Sequence, residues 1–212
     1  MNLFVIILFY FIFCTIELFF AYTENERLRK LFKCLPLFML FLGALISEPN
    51  NYLLYLPFLF YVIGDAFLLS MQKRYFVYGT ICFLIGHLIT TINVQIDSII
   101  YLYEHLFIQF AALIAGCVLV LIFLRKHLKK DTLSGGIYFG TLLGNSVLTF
   151  IIGYLNSNPV YYCLALGFAL YFFSDLMVVY KRFYHRVKRD DFYIMSSYYL
   201  AVFFVFLGLF LL

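Results

Sequence analysis

Tyr61-Val62-Ile63-Gly64-Asp65-Ala66-Phe67-Leu68-Leu69 places one carboxylate inside a run that is apolar on both sides and long enough to cross a bilayer. A carboxylate in hydrocarbon costs several kcal/mol, about 2.5–3.5 on insertion scales, and a chain that keeps one there generally uses it. A second such acid lies late in the chain, in Phe172-Phe173-Ser174-Asp175-Leu176. The expectation is that Asp65 and Asp175 lie at one depth in a helical bundle and form the working site.

Composition supports the membrane reading. Of 212 residues, 65% are apolar and 12% charged, where a soluble domain is about one quarter charged. Mean hydropathy is +0.98. Tryptophan is absent, so the interfacial aromatic belt falls to 19 tyrosines and 28 phenylalanines. The first apolar run has no basic leader or small-residue cleavage site and reads as a spanning helix. Five cysteines, Cys14, Cys34, Cys82, Cys117 and Cys163, are scattered without CxxC spacing and read as small hydrophobes.

Crossing a bilayer as a helix takes about 20 apolar residues. Eight segments qualify: Leu3–Tyr22, Leu31–Ser47, Tyr52–Met71, Tyr75–Val94, Ser98–Leu124, Thr132–Leu155, Val160–Tyr180 and Phe192–Leu212. The connections are short. The fold class is therefore all-α, with eight transmembrane helices in one bundle and a single domain over residues 1–212.

The basic residues orient it. Arg27, Arg29, Lys30 and Lys33 follow the first span, and Lys73 and Arg74 follow the third. Arg125, Lys126, Lys129 and Lys130 follow the fifth, and Lys181, Arg182, Arg186, Lys188 and Arg189 the seventh. Together these are all 15 lysines and arginines, and the alternate connections carry none. The positive-inside rule puts the basic loops in the cytoplasm and both termini on the opposite side. The net charge of +4 is then topology, and no nucleic-acid partner is implied.

Orientation assigns depths. Asp65 precedes Lys73 by eight residues, about 12 Å of helix, and Asp175 precedes Lys181 by six, about 9 Å. Ser196, Ser197, Tyr198 and Tyr199 cross that level on the last span, and Glu17 lies in the same half. Two carboxylates in a poorly solvated pocket do not both stay ionised, which yields one acid beside one carboxylate for paired acid and base work. The competing reading is a pair of aspartates merely hydrogen-bonded to neighbouring helices. Gly136, Gly140 and Gly144, four residues apart, form a ridge for close helix packing. Gly64-Asp65 before Lys73-Arg74 and Ser174-Asp175 before Lys181-Arg182 also allow a degenerate four-helix repeat, or coincidence.

His87 either pairs with a carboxylate or hydrogen-bonds in the core. Three histidines do not gather at one depth, which disfavours a zinc hydrolase. No GxSxG elbow or phosphate loop occurs. Neither a metal nor another cofactor is expected.

Several stretches carry a family resemblance. They are Lys33-Cys34-Leu35-Pro36, then Gly64-Asp65-Ala66-Phe67-Leu68-Leu69, and Gly79 through Phe83 to Gly86-His87. A late block runs from Gly167 through Ser174-Asp175 to Phe183, and then Ser197-Tyr198-Tyr199-Leu200-Ala201. In order and spacing the chain resembles the YhhN-like membrane proteins, the lysoplasmalogenase family. Val202 stands where that family commonly has glutamine. The resemblance implies hydrolysis of the vinyl ether bond of lysoplasmalogens to a fatty aldehyde and a glycerophospho-base, with Asp65 and Asp175 catalytic. The partners it implies are a single-chain ether phospholipid and the bilayer. Lys33, His87, Ser174, Tyr198 and Tyr199 are the candidate substrate-binding residues, Lys33 toward the phosphate. Arg182 is either a second phosphate contact or a plain topology charge. The short chain without low-complexity segments points to a bacterial inner membrane. The rival readings are a proton-coupled carrier using the same carboxylates, or a lipid-binding protein with an idle site. A carrier is expected to show paired broken helices, and Pro57 has no counterpart in the seventh span.

Overall fold

Twenty uninterrupted residues, Leu3–Tyr22, form α1. Its end is a turn in which Glu24 takes φ 56°, the left-handed conformation that stops a helix. There Asn25 N–H reaches back to the Phe20 carbonyl at 3.0 Å. The computed structural model describes residues 3–70, 72–97, 107, 110–111, 114–116, 118, 122, 132–183 and 188–212. Every regular element among them is a helix.

The segment expected as one span from Leu31 is built in two pieces. Asn25 caps a seven-residue helix, α2 (Glu26–Phe32), by accepting from Leu28 N–H at 3.4 Å. The next helix, α3 (Leu35–Ser47), starts with proline in its first turn. Pro36 has no N–H to give the Phe32 carbonyl, so the hydrogen-bond ladder breaks between the two. Next come α4 (Tyr52–Leu68) and α5 (Lys73–Asp97). Pro57 inside α4 likewise leaves the Leu53 carbonyl without its helical donor. Asn93 of α5 donates to that carbonyl at 3.5 Å.

The remaining helices are α6 (Thr132–Asn156), α7 (Pro159–Phe183) and α8 (Asp190–Leu211). The α6–α7 turn repeats the device of the α1–α2 turn. Ser157 takes φ 49°, and Asn158 N–H bonds the Gly153 carbonyl at 3.2 Å. Asn158 Oδ1 then accepts from Val160 N–H, and Pro159 opens α7 where no donor is needed. The expected span Ser98–Leu124 lies outside the described residues except at residues 107, 110–111, 114–116, 118 and 122, all helical.

Six helical stretches among the described residues are long and apolar enough to cross a membrane: Leu3–Tyr22, Glu26–Ser47, Arg74–Ile96, Gly136–Asn156, Pro159–Lys181 and Asp190–Leu211. Tyr52–Leu68 is a shorter apolar helix. Large apolar side chains point outward, Phe4 at 70% and Phe150 at 56% exposure, while Glu17, Asp65 and His87 are at most 1% exposed. That inversion suits hydrocarbon as the surrounding solvent.

The chain divides into two compact units. One comprises Met1–Asn93 with Val187–Tyr199, the other Val94–Arg186 with Leu200–Leu212. In the first, α3 packs on α1 and α4. Gly43 meets Ile6 so closely that a Cβ would lie 2.8 Å from its Cγ2. In the second, α6 packs on α7, where Ser146 Oγ donates to the Ala165 carbonyl at 2.9 Å.

Candidate active site

The first unit gathers a chain of buried polar groups around α2. Arg29 and Lys33 are four residues apart and therefore share one face of that short helix. Lys33 N–H bonds the Arg29 carbonyl at 3.0 Å and closes the last turn. The Arg29 guanidinium forks between two other helices. Its Nε meets Glu17 Oε1 of α1 at 3.1 Å, and its Nη2 meets Asp191 Oδ1 of α8 at 2.9 Å.

One turn on, Lys33 Nζ lies 3.4 Å from Asp65 Oδ1. Tyr198 on α8 donates its hydroxyl to Asp65 Oδ2 at 3.0 Å. Successive helical side chains point about 100° apart. Tyr199 accordingly turns away from Asp65 and donates to the Lys33 carbonyl at 3.3 Å. Tyr10 of α1 in turn donates to the Tyr199 carbonyl at 2.6 Å.

Asp65 thus has a donor on each oxygen, an ammonium and a phenol. Both Lys33 and Asp65 are buried. A buried pair of this kind contributes little net stability, but removing one partner costs about 3–5 kcal/mol because the other charge is stranded. Arg29 carries a separate consequence. A planar fork bridges two acids at fixed angles, and a lysine point charge does not. Arg29→Lys is expected to weaken the fold by about 1.5–3 kcal/mol, the scale of a charged hydrogen bond. Thermal unfolding in detergent reads this, and an unchanged midpoint would count against the bridging role.

His87 occupies a neighbouring cluster in the same unit. Its Nδ1 lies 2.9 Å from the Tyr61 hydroxyl, which is 3.4 Å from Thr90 Oγ1. His87 therefore has a hydrogen-bond partner in the core. Glycine at 86 makes room for this: a Cβ there would sit 2.4 Å from Tyr61 Cε1. Tyr61 stacks on Phe83, which meets the Tyr198 ring nearly at right angles, with centroids 5.8 and 6.0 Å apart. An aromatic wall therefore backs the phenol that holds Asp65.

In the second unit Ser174 is buried and Asp175 half-buried on α7. Tyr138 of α6 donates its hydroxyl to Asp175 Oδ2. Beside it, Phe139 and Phe172 meet edge to face at 5.5 Å. Each aspartate thus accepts from a tyrosine on a different helix.

Of the residues singled out from sequence, Lys33, Asp65, Tyr198 and Tyr199 come together. His87 sits with Tyr61 and Thr90, and Ser174 and Asp175 belong to the second unit. Arg29, Asp191, Tyr61 and Tyr138 were not anticipated. Arg29 had one available signal, its four-residue spacing from Lys33, which was masked by its fit to the topology pattern. Tyr138 had none, being one of 19 tyrosines.

Apolar residues outward and paired acids inward define a multi-pass helical membrane protein with a buried polar centre. The chain belongs to the YhhN family, whose model matches residues 28–209. It is similar to the human protein named lysoplasmalogenase TMEM86A, with 30% identity over 193 aligned positions, covering 81% of this chain and 73% of that one. The Bos taurus protein of the same name is 36% identical over 66 residues, 28% of either chain. No solved structure matches.

Proposed function

We propose that this protein is a membrane lysoplasmalogenase that cleaves the vinyl ether bond of a single-chain ether phospholipid, using Asp65 and Asp175. The observation that carries the reading is the buried carboxylate of Asp65, held between Lys33 and Tyr198. It lies in a chain of the YhhN family that is similar to a human protein named lysoplasmalogenase, and this supports the reading.

Vinyl ether hydrolysis begins with transfer of a proton to the β-carbon, which leaves an oxocarbenium ion. Water adds to the α-carbon and gives its proton to a base. The resulting hemiacetal breaks its C–O bond as its hydroxyl gives up a proton and the glycerol oxygen takes one, and the aldehyde departs. Asp65, with an ammonium and a phenol donating to it, suits the ionised role of stabilising the cation and accepting the proton from water. Asp175 is then the proton donor, with Tyr138 orienting its carboxyl. An ammonium has three donors, so Lys33 keeps two beyond Asp65 for a lipid phosphate. His87 and Ser174 are the remaining candidate substrate-binding residues, and Tyr199 holds the backbone of Lys33.

The accompanying topology is eight spans in one domain, with the basic loops cytoplasmic, both termini outside and the site in the cytoplasmic half of a bacterial inner membrane. The segregation of every lysine and arginine into alternate connections supports it.

Purified protein given lysoplasmenyl-ethanolamine is expected to release fatty aldehyde. Asp175→Asn is expected to slow release by about 10²–10⁴-fold, the usual contribution of a positioned acid. Full activity in a folded Asp175→Asn protein would remove that residue from the mechanism.

A further inference from the structure

Glu17 is fully buried on α1, and only half of its carboxylate is accounted for. Oε1 accepts from Arg29 Nε, while Oε2 has no hydrogen-bond partner among the described residues. The Tyr199 hydroxyl donates to the Lys33 carbonyl and the Tyr10 hydroxyl to the Tyr199 carbonyl, so neither phenol is directed at Oε2. Native proteins leave few buried polar atoms unmatched, and each calls for an explanation such as a bound molecule or a catalytic role. Arg29, which holds Oε1, lies one helical turn from Lys33, the partner of Asp65, so Glu17 borders the same centre.

As a carboxylate held by Arg29, Glu17 needs a donor at Oε2. A cationic head group fits poorly, because it would approach Arg29 and Lys33. A neutral hydroxyl meets no such repulsion. On the lysoplasmalogenase reading, the substrate carries one beside the scissile bond. The glycerol carbon next to the one bearing the vinyl ether has a free O–H, and in a two-tailed lipid that oxygen is esterified and cannot donate.

We propose that Glu17 is a specificity residue whose Oε2 accepts the free glycerol hydroxyl of the substrate. The proposal rests on the function argued above and adds a reason for single-tailed selectivity. A site built to bind a hydroxyl through a buried acceptor strongly disfavours an analogue that lacks it.

The test compares kcat/KM for lysoplasmenyl-ethanolamine with that for its analogue lacking the glycerol hydroxyl. Wild-type protein is expected to prefer the hydroxylated lipid by about tenfold or more. Glu17→Met should bring that ratio close to one, chiefly by lowering kcat/KM for the hydroxylated lipid. Glu17→Gln, which keeps the side-chain shape and a contact for Arg29, serves if the methionine variant fails to fold, and its ratio should also fall. A wild-type ratio retained in folded Glu17 variants, with both substrates slowed together, overturns the assignment. So does wild-type protein that cleaves both lipids equally, although the hydrolase reading then stands. No aldehyde from either lipid with wild-type protein overturns the hydrolase reading and this inference with it.

Discussion

Asp65→Asn is expected to reduce aldehyde release by about 10²–10⁴-fold, the usual contribution of a positioned acid or base. It should also destabilise the first unit. Asparagine is nearly isosteric but neutral, so the buried Lys33 ammonium loses its counter-charge, a change of about 3–5 kcal/mol. Tyr198 also faces an amide in place of a carboxylate oxygen. The two effects can be separated. The double variant Asp65→Asn/Lys33→Met removes the stranded charge, so its thermal midpoint in detergent should recover toward wild type. Its activity should not recover, because the carboxylate proposed to handle the proton and the cation is still missing. If the double variant regains both, Asp65 is a structural partner of Lys33. If Asp65→Asn alone keeps wild-type turnover, the proposed mechanism fails at its central residue.

The second large effect concerns packing in the second unit. A Cβ on Gly116 would lie 2.4 Å from the Cα and 2.5 Å from the N of Gly140, which is backbone against backbone. No rotamer change relieves such a contact, so the segment carrying Gly116 and α6 would have to separate. Gly116→Val is expected to cost at least the roughly 1–3 kcal/mol typical of overpacking. It should lower the thermal midpoint in detergent. Helices in lipid gain no hydrophobic driving force from meeting one another, so close approach at small residues is a main source of their attraction. An unchanged midpoint would show that the two glycines do not meet as described. The glycine ridge read from sequence at 136, 140 and 144 thus has a defined neighbour at its middle member.

Asp65 and the Gly116–Gly140 contact are not equally legible in the sequence. Asp65 stands out because an acid within an apolar run is costly wherever its neighbours are. The glycine ridge is visible as a four-residue spacing, but its partner is not. Gly116 belongs to a segment expected only as a long apolar span, and nothing in its local sequence marks residue 116 as the point of approach. Lys33 is the plainest case of a residue seen and only partly understood. It matched a family stretch and fitted the topology pattern, yet its buried pairing with Asp65 depends on the break before Pro36 and on the seven-residue helix that precedes it. The expected uniform span from Leu31 conceals that helix, because hydropathy averages over windows longer than α2.

The sequence by itself determined that this is a helical membrane protein, where most of its apolar helices run, and which acids are out of place among them. These are local properties, set by side-chain transfer energies and by 1.5 Å of rise per residue. Only the tertiary structure decided which of 19 tyrosines holds each aspartate, that Arg29 joins α1 to α8, and that one oxygen of Glu17 has no partner among the described residues. Tyr198 and Asp65 are 133 residues apart, and their meeting depends on how each helix is rotated about its own axis. That rotation is set by the packing of every neighbour at once, a quantity no stretch of chain carries alone.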